Sequence, residues 1–241
     1  QTQTELNLAR SVQMSLLPRL PDELLGIGLW AQCKPAHHVG GDFYDYHYDQ
    51  DSGSFIFSLG DVAGKGMSAA LLMAMSRTFV RASDGTPLQI LDKMNRNLYD
   101  DLTEVGAFVT AFVGKYDPKS NQLTYANAGH APVIYCPAGT APYLLDANGP
   151  PVGLLVETLL FEQKLDFAVD DVLIIVSDGF PEATDEDGEF LGYDNLLALI
   201  DLYRDRSARE IAATLLDAVQ TFERGATPND DQTIMVLKRM E

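Results

Sequence analysis

Two kinds of hydrophobic spacing alternate along the chain. Residues 4–17, TELNLARSVQMSLL, place Leu8, Val12 and Leu16 on one face at helical spacing with Ala9 beside them. This predicts an amphipathic helix, stopped by Pro18 and Pro21. The next segments read as strands: IGLWAQCKPA, then HHVGGDFYDYHYD, then SGSFIFSLGDVA, with a hairpin turn predicted around Asp51-Ser52-Gly53. Residues 67–82, rich in Ala, Leu and Met, and residues 87–101, which start on a proline in the first turn, predict two helices. A second strand series covers GAFVTAFVGKYDP, NQLTYANAG, APVIYCP, APYLLD and TLLFEQKLDFAVDDVLIIVSDG. Two more helices, over 193–203 and 207–223, precede a last strand, QTIMVLKR. The hairpin-like spacing predicts mainly antiparallel sheets with helices on their outer faces, in one domain.

The chain has 241 residues, 46% of them hydrophobic, enough for one large core or two small ones. Its formal net charge of −18 excludes nucleic-acid backbones and anionic membrane surfaces as partners of the surface as a whole. It leaves open that some of the excess acid faces bound cations. No apolar stretch is long enough to span a bilayer, and no signal peptide is visible. The chain begins with Gln, so a piece of a longer protein is expected. Cys33 and Cys136 have no CxxC or Cys/His companion, which points to a reduced, cytoplasmic setting and away from structural zinc.

The stretch FIFSLGDVAGKGMSAALLMA, residues 55–74, nearly matches two phosphate-binding loops. The P-loop pattern fails twice: three residues, not four, separate Gly60 from Gly64, and Gly66 stands where a Ser or Thr is needed after Lys65. Gly64-Lys65-Gly66-Met67-Ser68-Ala69 satisfies GxGxxG/A. However, the required second strand and its acidic end are missing, and Asp61 would oppose a pyrophosphate. The glycines are better read as a sharp backbone turn.

Aspartates recur at the tips of apolar strands: Asp42 in GGDFYD, Asp61 after FIFSLG, Asp178 after DVLIIVS, and Asp230 and Asp231 before QTIMVL. Asp is a poor strand former, so these positions suit a site on rigid elements. Four carboxylates in one place require cations to remain ionised together. An all-oxygen donor set selects magnesium or manganese. His37, His38, His47 and His130 show no metal-binding spacing and read as packing or surface residues. Two ions bridged by one carboxylate would acidify a water and clamp the oxygens of a phosphoryl displacement.

GGDFYDY, GDVAGKGMSAALLMA, NAGHAPV, SDGFPEATDEDGEFLG and DDQTIMVL, in that order, resemble the SpoIIE-like branch of the metal-dependent (PPM, type 2C) protein phosphatases. The segment ARSVQMSLLPRLP resembles the connection between such bacterial domains and upstream sensor domains. The resemblance implies an α+β fold, a four-layer α/β/β/α sandwich of two mainly antiparallel sheets. It implies residues 1–20 as a linker or regulatory helix and 21–241 as the phosphatase domain. It implies a cytoplasmic hydrolase for protein phosphoserine or phosphothreonine that uses water activated between two Mn2+ or Mg2+ ions. Carried over, the metal donors are Asp42, Asp61, the Val62 carbonyl, Asp178 and Asp230, with Asp231 as the adjacent register, Asp45 behind them, and Gly60 and Gly64 shaping the turn. Asp42, Asp61, Asp178 and Asp230 are thereby the catalytic acids. Lys34, Lys65 or the metals alone would hold the substrate phosphate. Phe180-Pro181 departs from the usual pair after SDG but removes no donor. The implied partners are a phosphorylated protein, such as a small STAS-type anti-sigma-factor antagonist, an upstream sensor, and a second copy through the first helix. The rival reading is a regulatory interaction module that keeps the fold with little activity.

Overall fold

The computed structural model describes residues 2–240, which divide into two compact units. Among the described residues, the first comprises 2–18, 37–131 and 146–166; the second comprises 19–36, 132–145 and 167–240. Each holds one sheet, and every strand pairing in both sheets is antiparallel.

In the first unit, β3 (Phe43–Asp49), β4 (Ser54–Val62), β5 (Val109–Asp117), β6 (Gln122–Ala128) and β9 (Gln163–Asp166) lie side by side in that order. The β3–β4 hairpin turns at the expected place, with Asp49 opposite Ser54. β4 is buried almost throughout, which explains its near-continuous apolar run. Phe55, Phe57, Phe112, Tyr116 and Tyr125 form a chain of ring contacts across β4, β5 and β6. Helices α2 (Gly66–Arg81) and α3 (Pro87–Glu104) pack on this sheet. Thr86 and Gln89 form a reciprocal capping box at the start of α3, with Pro87 at the first helical position.

In the second unit the strand order is β1 (Glu23–Leu24), β2 (Ile27–Lys34), β11 (Gln232–Arg239), β10 (Val172–Val176), β7 (Val133–Cys136) and β8 (Tyr143–Leu145). Helices α4 (Gly192–Tyr203) and α5 (Ala208–Glu223) close its core. Ile134, Ile174, Val176 and Val236 from the sheet meet Leu196, Ile211 and Leu215 from the helices.

Two expectations change, those for Gly60 and for residues 158–162. In α1 (Thr2–Leu16) the apolar stripe stands largely open: Leu8 is 65% exposed and Val12 52%. The buried residue is polar. The Gln13 amide nitrogen donates to the Gly40 carbonyl at 2.6 Å, and its oxygen accepts from the Gly40 N–H at 3.0 Å. Gln13→Ala would leave that buried main-chain pair without its partners, at about 1–3 kcal/mol each. Amide exchange in α1 should then quicken at least about tenfold, and unchanged exchange would show that Gln13 is not the anchor. Gly60 is not a turn residue; it lies inside β4, where a side chain would collide with the Phe43 ring. Gly64, at φ +115°, and Gly66, at φ +75°, make the turn. Finally, residues 158–162 are not strand, since β9 starts only at Gln163.

Candidate metal centre

Each unit brings together part of the expected donor set. In the first, Asp42 follows Gly40-Gly41 into β3, and Asp61 lies near the end of the paired strand β4. The Val62 N–H donates to the Gly41 carbonyl at 3.2 Å, tying the two loops together. A Cβ at residue 41 would stand 2.6 Å from the Val62 carbonyl oxygen and 2.9 Å from Asp61 Oδ1. Gly41 therefore leaves a notch into which a carboxylate and a carbonyl oxygen converge beside Asp42, and only glycine leaves that room. The Thr110 hydroxyl donates to the Asp61 carbonyl at 3.4 Å and lies 3.3 Å from His130 Nδ1. His130 is buried, and its N–H donates to Asn127 Oδ1 at 2.8 Å. Thr110 was not legible as a site residue, because only strand register places it opposite Asp61. The NAGH tetrapeptide was visible in the sequence without its role as support beneath Asp61.

Asp45 sits one pleat further into the sheet and is 1% exposed. Arg81 Nη1 donates to its Oδ1 at 2.7 Å, and the Tyr46 N–H donates to the same oxygen at 2.8 Å. Arg77 Nε lies 3.0 Å from Oδ2 but off the line of a hydrogen bond, so that contact is a charge pair. Burial raises the Asp45 carboxyl above its usual range against the pull of Arg77 and Arg81. The pair fastens α2, which follows the Asp61 loop, to β3, which follows Asp42.

In the second unit, Asp178 leaves the end of β10, and Asp230 and Asp231 lead into β11. Gly179 lies against the Asp231 main chain, where a Cβ would collide with its carbonyl oxygen. The Ser177 hydroxyl donates to the Asp231 carbonyl at 3.0 Å and accepts the Thr233 N–H at 2.9 Å. Asp231 Oδ1 accepts the Ala36 N–H at 2.9 Å, which commits that oxygen to the main chain. Burial first, and then the charges of Asp230 and Glu182, push Asp178 up to about 6. Lys34 lies in this unit, whereas Lys65 precedes α2 in the other, exposed.

The donor chemistry suits a hard divalent cation: carboxylates and a carbonyl, with no thiolate or imidazole required. The notch at Gly41, and the negative charges of Asp230 and Glu182 beside Asp178, both mark places where positive charge would be favourable. Among the described residues, no three His, Cys, Asp or Glu side chains are grouped as they stand so as to hold a metal ion.

Comparison with known proteins gives the same direction. The family described as Stage II sporulation protein E (SpoIIE) matches residues 51–240. Phosphoserine phosphatase RsbU of Bacillus subtilis (strain 168) is 33% identical over 247 residues, 98% of this chain and 70% of RsbU. Phosphoserine phosphatase RsbP of the same organism is 27% identical over 191 residues, 76% of this chain but 46% of RsbP. Among solved structures, the SiaA-PP2C domain of Pseudomonas aeruginosa superposes with a TM-score of 0.86 at 20% identity, covering 98% of this chain and 96% of that one. RsbX in complex with magnesium superposes with a TM-score of 0.66 at 14% identity, covering 90% and 96%. Two antiparallel sheets with five helices, the five ordered motifs and these matches agree: the chain belongs to the SpoIIE family, as a PP2C-type protein phosphatase domain.

Proposed function

We propose that this chain hydrolyses phosphoserine or phosphothreonine on a signalling protein, with Asp42, Asp61, the Val62 carbonyl, Asp178 and Asp230 holding two Mn2+ or Mg2+ ions. The notch at Gly41, where the Asp61 carboxylate and the Val62 carbonyl converge, is the observation that carries this reading. Bound there, such ions supply charge neutralisation for phosphoryl oxygens and bring the pKa of a water towards about 7. The protein's own part is placement. The β4–β5 ladder fixes Asp61, and the Ser177 bridge fixes Asp178 relative to Asp231. Asp231 bonds the Ala36 N–H through Oδ1 and donates its own N–H to Asp230 Oδ1, so it positions Asp230 and stands as the adjacent donor. Lys65, exposed before α2, and Lys34 are the cationic candidates for holding a phosphate before cleavage.

The proposed substrate is a small STAS-type protein of the anti-sigma-factor-antagonist kind, in the cytoplasm. Its support is the similarity to two phosphoserine phosphatases and to a solved RsbU–RsbW domain pair of Mycobacterium tuberculosis. No helix among the described residues is long and apolar enough to cross a membrane. Residues 1–20 are proposed to carry the signal from an upstream sensor, and a homodimer through α1 would cover the exposed Leu8 and Val12. The test is turnover of p-nitrophenyl phosphate as manganese is titrated into the metal-stripped protein. Saturable activation is expected, with little effect of calcium. Turnover that is equal without divalent ions, or absent at every manganese concentration, would reject the reading.

A further inference from the structure

Residues 153–162, GLLVETLLFE, expose Leu154, Leu155, Val156, Leu159 and Phe161 within ten positions. Single exposed apolar residues are ordinary, but a concentration of them marks an interaction surface. The segment is not slack. It runs antiparallel to α3, held by side chains of that helix. Asn95, 1% exposed, donates to the Leu155 and Val156 carbonyls at 3.0 and 3.1 Å and accepts the Gly153 N–H at 2.7 Å. The Thr158 hydroxyl donates to Asp92, and Glu162 Oε2 accepts the Leu88 N–H at 3.2 Å. With the backbone of 153–156 held by Asn95 and the stretch 158–162 tied to α3 through its Thr158 and Glu162 side chains, the segment presents its apolar side chains outward, and a partner binds it with reduced ordering cost.

Position and charge narrow the partner. Val152 exchanges both main-chain hydrogen bonds with Val109, at 2.9 and 2.8 Å, and Val109 is the ladder partner of Val62. At about 5 Å per ladder step, the strap leaves the sheet about 10 Å from Val62. At its other end is a recess of about 380 Å³ lined by Thr86, Pro87, Lys115, Lys119, Glu162 and Lys164. Three of the chain's seven lysines thus gather at one place on a protein of net charge −18. Of the acids around it, Asp49 pairs with Lys115, while Asp117, held by Ser120 and the Lys119 N–H, and Glu162, held by the Leu88 N–H, keep their charge beside Lys119 and Lys164. Lys119 and Lys164 are exposed and make no side-chain hydrogen bond or ion pair among the described residues. The patch is close to neutral on a chain of net charge −18, so an acidic protein is repelled least where Lys119 and Lys164 stand exposed.

We infer that residues 153–162 are a docking strap for a net-acidic phosphoserine protein, which lays an apolar face on Leu159 and Phe161 and its carboxylates on Lys119 and Lys164. The inference deepens the proposed function and rests on it for the phosphorylated partner. One domain of the partner would cover the strap while its phosphoserine loop reaches the Asp61 end of the same sheet.

The test is calorimetric binding of a serine-phosphorylated STAS-domain protein of net negative charge to the metal-stripped chain. Leu159→Ser/Phe161→Ser should weaken binding at least about tenfold. Lys119→Glu/Lys164→Glu, at two exposed positions, should weaken it by a similar factor at low salt and less at high salt. Leu202→Ser, at a 71% exposed position on α4, should bind like the parent. The docking inference is overturned if the parent does not bind, or if both strap variants bind as the parent does. It is equally overturned if the apolar variant abolishes only self-association in sedimentation, which would assign the strap to a second copy. Selective binding to anionic lipid vesicles in place of the protein would assign it to a membrane and overturn it as well. Manganese-dependent turnover of p-nitrophenyl phosphate by the parent is measured separately. Its absence rejects the phosphatase reading, while the binding data still decide the strap.

Discussion

Asp61→Asn is expected to lower manganese-dependent hydrolysis of p-nitrophenyl phosphate by about 10²–10³-fold, the range seen when one preorganised electrostatic group is removed from a site. Asparagine matches aspartate in size and keeps an oxygen towards the notch at Gly41, so the β4–β5 ladder and the Thr110 bond to the residue 61 carbonyl stay in place. What is lost is the charge that the proposed ions need. Thermal unfolding of the metal-stripped variant should therefore match the parent within about 0.5 kcal/mol, the range of changes that break no buried partner set. The two readouts separate a chemical role from a structural one. If Asp61→Asn also melted early, the loss of turnover would be uninformative, and Asp178→Asn would decide instead. If Asp61→Asn kept parental turnover at every manganese concentration, Asp61 would hold no catalytic ion.

The largest stability effect is expected at Asp45. Asp45→Ala leaves Arg77 nearly buried with no carboxylate facing it and frees the Arg81 guanidinium from β3. Breaking a buried pair from one side costs about 3–5 kcal/mol, mostly because the remaining charge stays desolvated. For a chain of this size that lowers the melting temperature by on the order of 10 °C. The pair itself need not be stabilising, since burial already lifts the Asp45 carboxyl above its usual range in spite of two arginines. The double change Asp45→Leu/Arg77→Met should accordingly recover most of the loss. A single Asp45→Ala that melts with the parent would show that water reaches Arg77 and that the pair is not a buried lock between β3 and α2.

The strands and helices were largely readable because their cues are local. The turn at 51–53, Pro87 at the start of α3 and the apolar run of β4 each name their own element. The tips of β4, β10 and β11 were equally readable as places where Asp stands in strand context. What escaped was non-local partnership. TLLF at 158–161 has strand composition, but the bonds that hold it and its flanks, Asn95 to the Leu155 carbonyl, Asp92 to the Thr158 hydroxyl and the Leu88 N–H to the Glu162 carboxylate, come from residues some sixty positions earlier or more. No spacing rule distinguishes a strap on a helix from a strand in a sheet. The stripe on α1 is legible as a pattern, but not what it faces, because burial there is decided by the Gly40 main chain, which takes Gln13. Thr110 became visible only when register set it opposite Asp61.

Ser177 ties the end of β10 to the entry of β11 through three contacts: its hydroxyl to the Asp231 carbonyl, the Thr233 N–H to that hydroxyl, and its own N–H to the Thr233 carbonyl. The loops bearing Asp178 and Asp230 are therefore one mechanical piece. A disturbance entering through the last strand of the chain must arrive at both aspartates at once, so their amide resonances should shift together, in fixed proportion, whatever the cause.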